Sequence, residues 1–492
     1  MCISVRNSRR LTGAVSLALT LAGCAVGPDF VPPASPAVAH YTNGADPVTT
    51  TTAEGASQHF SATADLPVDW WRLFNCPKLD AVVGQGIAGS PSIEAAEATL
   101  RQSRDTLQAG YGVFFPQIDS GFSAQRQQST KQTQGETGPG RIFNLFTLSA
   151  TVSYTLDIFG GERRTVEALA AAVDAQKNIA RAAYLTLSAN IVNTVIAMAA
   201  YDSQLQATQE IVQLQRDQVR LGEIKAAAGT LAYANLLGLQ AQLQSTESSL
   251  PALRQKLSQT EHLLATLTGR LAADTSPPKV GFAELSLPAE LPISLPSALV
   301  RQRPDILTAE ASLHAASAEI GVATAALFPS ITLDGAFGFA NASPGALLAA
   351  SGKFWSVGAG LTQPLFHGGS LWFQRKAAID AFDASAANYR LTVLIAFQQV
   401  ADTLRAIDND AEALAADERA LHTAARALQL VQANFSAGLA TYADVLIADT
   451  LYHQARIGDI QARALRYQDT VALYVALGGG WWNDTGKVAA VR

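Results

Sequence analysis

At 492 residues the chain is long enough for more than one domain or for one elongated body, and 48% hydrophobic against 15% charged residues lets it bury extensive surface. A net charge of −6, with no block of basic residues, excludes nucleic acid as the main partner. The three cysteines build no disulfide framework, because Cys2 falls in the leader and Cys24 has a context of its own, which leaves Cys76 without an intramolecular partner.

The chain opens as an export signal, residues 1–23: Arg6, Arg9 and Arg10 precede a short apolar run that ends Leu21-Ala22-Gly23-Cys24. Small residues before that cysteine resemble a bacterial lipobox. The resemblance implies cleavage before Cys24, lipidation of its thiol and new amine, and, with Ala25 next, sorting to the outer membrane. An ordinary signal peptide with an accidental cysteine is the bland alternative. Residues 24–77 then read as an extended, lipidated tether closing on an aromatic equatorial segment around Trp70 and Trp71. No mature stretch offers about 18 consecutive apolar residues, so a membrane crossing has to be made by strands.

The rest reads as duplicated. AGTLAYANLLGLQAQL starts at Ala228 and AGLATYADVLIADTLY at Ala437, an offset of 209 residues. FPQIDSGF pairs with FPSITLDGAF, DIFGG with LFHGG and TLTGR with ALGGG, in the same order and at nearly the same offset. Residues 78–270 form one repeat, residues 295–478 the other, with a Pro-rich linker at 271–294 and a tail at 479–492. Each repeat is expected to hold a first helix (79–111; 296–327), two strands, a very long helix (162–226; 370–434), a glycine turn and a return helix (233–267; 442–477). The stripe Leu169, Val173, Ile179, Ala183, Leu187, Ile191, Val195 and Met198 marks the buried face of the first long helix.

Four segments alternate with period two: 117–125, 146–161, 330–340 and 354–364. In the second, Phe146, Leu148, Val152 and Tyr154 oppose Thr147, Ser149, Thr151 and Ser153. Such strands suit either a solvated sheet or a membrane barrel, and the outer-membrane leader favours the barrel. Four strands cannot close one, and an open edge is not tolerated in lipid. Three copies give twelve. On that reading Leu148, Val152, Tyr154 and Trp355 face lipid, the hydroxyl parity lines a watery lumen, and the loops 129–141 and 341–353 lie at the outer surface.

Several short motifs in this order carry a family resemblance: Gly27-Pro28-Asp29-Phe30, Trp70-Trp71, Phe115-Pro116-Gln117, Leu156 through Gly161, Arg301 through Ile306 with Ala309-Glu310, Phe328-Pro329, Pro364-Leu365-Phe366 and Gly438 through Leu446. The chain resembles the outer membrane factors, channels of tripartite RND-type efflux systems, in their lipidated nodulation-type (NodT) branch related to the TolC family. The resemblance implies an α+β fold: a trimeric 12-stranded transmembrane β-barrel, four strands per chain, continued by a long α-helical coiled-coil barrel. It implies a passive exit duct fed by an inner-membrane RND-type transporter through a periplasmic adaptor (membrane fusion) protein. No cofactor is expected beyond the covalent lipid on Cys24.

The resemblance also implies a gate at the periplasmic helix tips. Asp444 aligns with an aperture carboxylate, with Thr441, Tyr442 and Tyr233 beside it; Gly229, Thr230, Gly438 and Leu439 form the tips an adaptor contacts. Where relatives often carry a second aspartate, Ile447 stands, and Asp449 lies nearby off the aligned position. A solvated helix-start carboxylate remains the alternative for Asp444, and core packing for the two tyrosines. Arg303 and Asp305 read as orienting a helix start. The seven histidines show no zinc-type pairing, there is no P-loop or nucleophile elbow, and neither enzyme nor metal site is expected. The competing class is a periplasmic adaptor or scaffold lipoprotein with coiled-coil hairpins and no barrel.

Overall fold

The computed structural model describes residues 25–43, 46–54, 56–62, 64–130, 140–274 and 278–483. The expected signal peptide, Cys24 with its expected lipidation, and most of the loop 129–141 therefore lie outside the described residues. In chain order the elements are β1 (His59–Ser61), α1 (Pro77–Gly89), α2 (Pro91–Gly110), β2 (Gln117–Gln128), β3 (Ile142–Leu156), α3 (Gly161–Ala227) and α4 (Tyr233–Leu267). They continue with β4 (Glu290–Pro292), α5 (Pro296–Gln302), α6 (Pro304–Ala325), β5 (Ser330–Asn341), β6 (Lys353–Thr362), α7 (Ser370–Ser436) and α8 (Tyr442–Ala476).

The long helices α3 and α7 are each 67 residues, and the return helices α4 and α8 each 35. The first helix of each half, expected as one run, is two. Ser90 and Arg303 both sit in extended conformation, and Pro91 and Pro304 open the next helix. A proline has no N–H to donate and pushes the residue before it out of the α region, so the periodic pattern carries across while the helix does not.

The chain divides into two compact units. Of the described residues, one holds those in 25–33, 101–176 and 309–389, and the other holds the remainder. The first contains the four-stranded sheet, order β2-β3-β5-β6, antiparallel throughout. The second is helical, with an aromatic centre. Trp70 lies 5.6 Å from Tyr474, and Phe74 6.0 Å from Tyr467, ring centre to ring centre. Along α7 the residues Val393, Ala396, Val400, Leu404, Ile407, Ala411 and Leu414 are buried at three- and four-residue steps, the spacing of one helix face.

The α3 stripe is buried from Leu187 through Met198, but Ile179 is exposed, against expectation. An apolar window of α3 long enough to span a bilayer is 61% buried within the chain, as suits a core helix.

The tether also departs from its expected extended character. β1 pairs in parallel with β4 of the Pro-rich linker. Buried Arg466 donates to the Gln58 side chain and to the Ala53 and Ala56 carbonyls. A guanidinium with five donors on a helix face can satisfy an irregular strand that lacks a ladder of its own, so polar residues that look like tether fold as core.

Candidate functional site

The register of the sheet decides which side chains share a face. Val152 stands opposite Ile118 on β2 and Gly335 on β5, and Gly335 in turn opposite Val357 on β6. Leu148 pairs with Phe122 and Phe339, Tyr154 with Leu333, and Phe337 with Trp355. Directly opposed residues point to the same side, so the apolar parity of all four strands merges into one surface. Asp119, Thr151, Ser153, Asp334 and Ser356 share the other side.

On the apolar side Ile118, Phe122, Trp355, Val357 and Leu361 are more than 60% exposed. A water-facing sheet does not carry that much uncovered hydrocarbon on one face. Strand lengths of 12, 15, 12 and 10 residues meet the span a bilayer asks of a tilted strand. Among the described residues β2 and β6 each pair along one edge only, leaving two rows of backbone donors and acceptors open. Leu148, Val152, Tyr154 and Trp355, expected to face lipid, all lie on this one side.

The helix tips are built twice from the same bonds. Gly229 (φ +71°) ends α3 and Gly438 (φ +76°) ends α7 in the left-handed region, where a side chain is strained. Thr230 N–H bonds the Lys225 carbonyl at 2.9 Å and Leu439 N–H the Asn434 carbonyl at 2.8 Å, the long bond of a Schellman close. Gly229, Thr230, Gly438 and Leu439 are exposed. The Lys225 ammonium donates to the Phe435 carbonyl at 2.8 Å and lies 4.1 Å from that ring's centre, joining the ends of the two long helices. Sequence reasoning missed this tie; a lysine in the last turn of a helix was its only signal.

At the start of α8, Thr441 and Asp444 form a capping box. Asp444 Oδ2 accepts from the Thr441 N–H (2.8 Å) and hydroxyl (2.6 Å), while the Asp444 N–H donates to Thr441 Oγ1 (3.3 Å). Hydrogen bonds from the Thr441 side chain and backbone hold the exposed Asp444 carboxyl below the usual aspartate range. Tyr442 packs its phenol where a Cβ on Gly238 would stand, and its hydroxyl is buried with no hydrogen-bond partner among the described residues. Tyr233 is 69% exposed. The structure thus joins Thr441 to Asp444 and sets Tyr442 against Gly238 of α4.

Asp449 behaves in the opposite way to Asp444. It is 1% exposed, and its Oδ2 accepts from Gln215 Nε2 of α3 at 2.5 Å. Among the described residues, Asp449 Oδ1 and Gln215 Oε1 are both buried acceptors without a partner. Burial pushes the Asp449 carboxyl up, against smaller lowering by Gln215 and His453, and burial pushes His453 down. A proton on Asp449 Oδ1 turns one of two orphaned acceptors into a donor, so the arrangement favours the neutral acid.

The family model described as "Outer membrane efflux protein" matches residues 82–270 and 295–479. The chain is 30% identical over 426 residues to the pyoverdine export outer membrane protein OpmQ of Pseudomonas aeruginosa, covering 84% of this chain and 88% of that one. It is 28% identical over 479 residues to nodulation protein T of Rhizobium leguminosarum bv. trifolii, covering 94% and 96%. The solved outer-membrane channel OprN superposes with a TM-score of 0.84 at 26% identity, covering 93% of this chain and all of the other.

Proposed function

The chain belongs to the outer membrane efflux protein family and is an outer-membrane efflux channel; from that premise we propose that three copies pool their sheets into one 12-stranded barrel, the exit duct of a tripartite pump. The observation that carries this reading is the sheet of the first unit. Its four strands share one apolar face, and its outer strands each keep an open edge. Open edges cost several kcal/mol per group in hydrocarbon, so a lone copy is not a stable membrane species. Joining β6 of one copy to β2 of the next removes every edge.

The side opposite the apolar face then lines the lumen with hydroxyls, glycines and the carboxylates Asp119 and Asp334. Such a wall makes few specific contacts and passes solutes without catalysis. Energy and substrate choice belong to an inner-membrane RND-type transporter, with a periplasmic adaptor joining it to the tips at Gly229, Thr230, Gly438 and Leu439. The exposure of all four tip residues supports that role. Exposed Leu439, Ile447 and Leu451 near the tip of α8 extend the same logic, since neighbouring hairpins give them cover. The lipid on Cys24 adds a second membrane attachment.

The scaffold alternative has no use for a hydrocarbon face this broad. Heat-modifiable migration tests the proposal. Unheated outer-membrane extracts should run as a trimer and boiled ones as the monomer. A protein released from lipid-stripped membranes by high salt, and monomeric before heating, overturns it.

A further inference from the structure

The motif Gly27-Pro28-Asp29-Phe30 has no part in the duct wall or the gate, yet it is tied to the first unit at every residue but the proline. Just before it, the Val26 N–H donates to the Phe159 carbonyl at 3.0 Å, and the Val26 carbonyl accepts from Arg164 Nε at 3.4 Å. Asp29 accepts from Arg164 Nη2 at 2.7 Å. Phe30 stacks on His314 with ring centres 4.4 Å apart and planes 11° from parallel. His314 and Arg164 are themselves held by one carboxylate, Glu167, at 2.9 and 2.7 Å. Gly27 is fitted to its seat, since a Cβ there lies 2.5 Å from the Gly321 Cα, and a Cβ on Gly321 lies 2.7 Å from the Arg164 stem.

The seat is built into the helices rather than laid on the surface. The Arg164 side chain is 7% exposed although its partner Asp29 is 93% exposed. An exposed ion pair contributes little by itself, so the fit of backbone and ring sets the position. The motif holds Ala25 against Gly160, four residues beyond the last residue of β3, where a Gly160 Cβ would meet Ala25 at 2.7 Å. Covalent geometry allows residue 24 only about 3.8 Å between its Cα and that of Ala25.

We infer that Gly27 through Phe30, seated on Arg164, Glu167, His314 and Gly321, is a docking latch that fixes the lipid-bearing end at the rim of the strand wall. The lipid and the barrel then enter the bilayer in register. The inference rests on the duct reading and on the lipid at Cys24. Without the latch, the lipid is a leash that lets the wall sample many heights before copies join.

The test compares assembly rates of the full-length, lipidated protein, read as heat-resistant trimer after pulse labelling. Three chains are set against the parent: Phe30→Ala; an insertion of about six Gly and Ser residues between Cys24 and Ala25, which leaves the latch whole but frees the lipid from it; and the two combined. Gly27→Val serves as a second latch variant that spares Arg164 and its buried partners. Latch variant and insertion should each slow assembly several-fold, and the combination no further. Independent, multiplying effects assign the motif to folding alone and overturn the latch. So does an insertion without effect, or latch variants that assemble at the parental rate. A parent that forms no trimer overturns the duct reading, and the latch with it.

Discussion

The hairpin α3–α4 and the hairpin α7–α8 share their lengths, their Schellman turns and their closing glycines, yet they differ in almost every polar side chain that matters. α8 starts with the Thr441–Asp444 capping box, whereas α4 starts at Ala232 with no side-chain cap. α8 buries Asp449, Asp459 and Arg466; the buried residues of α4 carry no charge, and it holds an interior Pro251. Shape here is set by helix length, one left-handed residue and an apolar stripe, all of which tolerate substitution elsewhere. Buried charge is free to diverge, and of the two return helices α8 alone carries it.

The largest effect should fall on what both halves share. Val152→Arg on β3 puts a charge on the apolar face and should cost about 2–4 kcal/mol at mid-bilayer, seen as loss of heat-resistant trimer. Val357→Arg on β6 should cost about as much, because Gly335 bridges the two positions across one register. Thr151→Arg, one residue away on the opposite side, should leave the trimer intact. Equal damage from Thr151→Arg and Val152→Arg breaks the facing assignment.

The buried acid of the second hairpin comes next. Asp449→Ala strands the Gln215 amide in the packing and should cost about 1–3 kcal/mol, lowering the temperature at which the trimer dissociates. The pH dependence has a fixed sign. A carboxyl raised on packing binds its proton more tightly in the packed state. Its contribution is therefore full below the ordinary aspartate range and is lost as pH rises through the raised value, at a slope of about 1.4 kcal/mol per unit in that window. Asp449→Asn should remove that slope while keeping a side chain of the same shape. An unchanged slope in Asp449→Asn places the titration elsewhere.

Much of the fold was legible because it is periodic. The return helix α4 begins and ends at the expected residues, Tyr233 and Leu267, and strand alternation marked β2, β5 and β6 to within three residues at each end, while β3 both starts and ends earlier than its alternating stretch. The breaks before Pro91 and Pro304 were written in the chain, but a continuous apolar pattern outweighs a proline when only period is read. The packing of residues 50–61 was not legible, since Arg466 reaches Gln58 across 408 positions. The start of α8 was half legible. Asp444 and Asp449 are five residues apart, about 140° around a helix, so one faces out while the other is buried, and alignment favours the first without showing the second.

The smallest effects separate the two caps. Thr441→Ala removes the side-chain cap of α8 and should cost about 1 kcal/mol, while Ala232→Thr offers α4 the cap it lacks and should recover a similar amount. Equal responses would erase the difference between the hairpins. Asp444 then divides between two roles. As a cap alone, its loss changes stability and not conduction. As a ring of three carboxylates at the tip, its loss weakens the attraction for cations, and Asp444→Asn should shift the reversal potential in planar bilayers toward zero under a salt gradient. Its carboxyl is held low by Thr441, so the selectivity of the parent should persist at mildly acidic pH and fade only as pH falls through that depressed value. A reversal potential unmoved by Asp444→Asn, with dissociation shifted, leaves Asp444 a cap and removes it from the aperture.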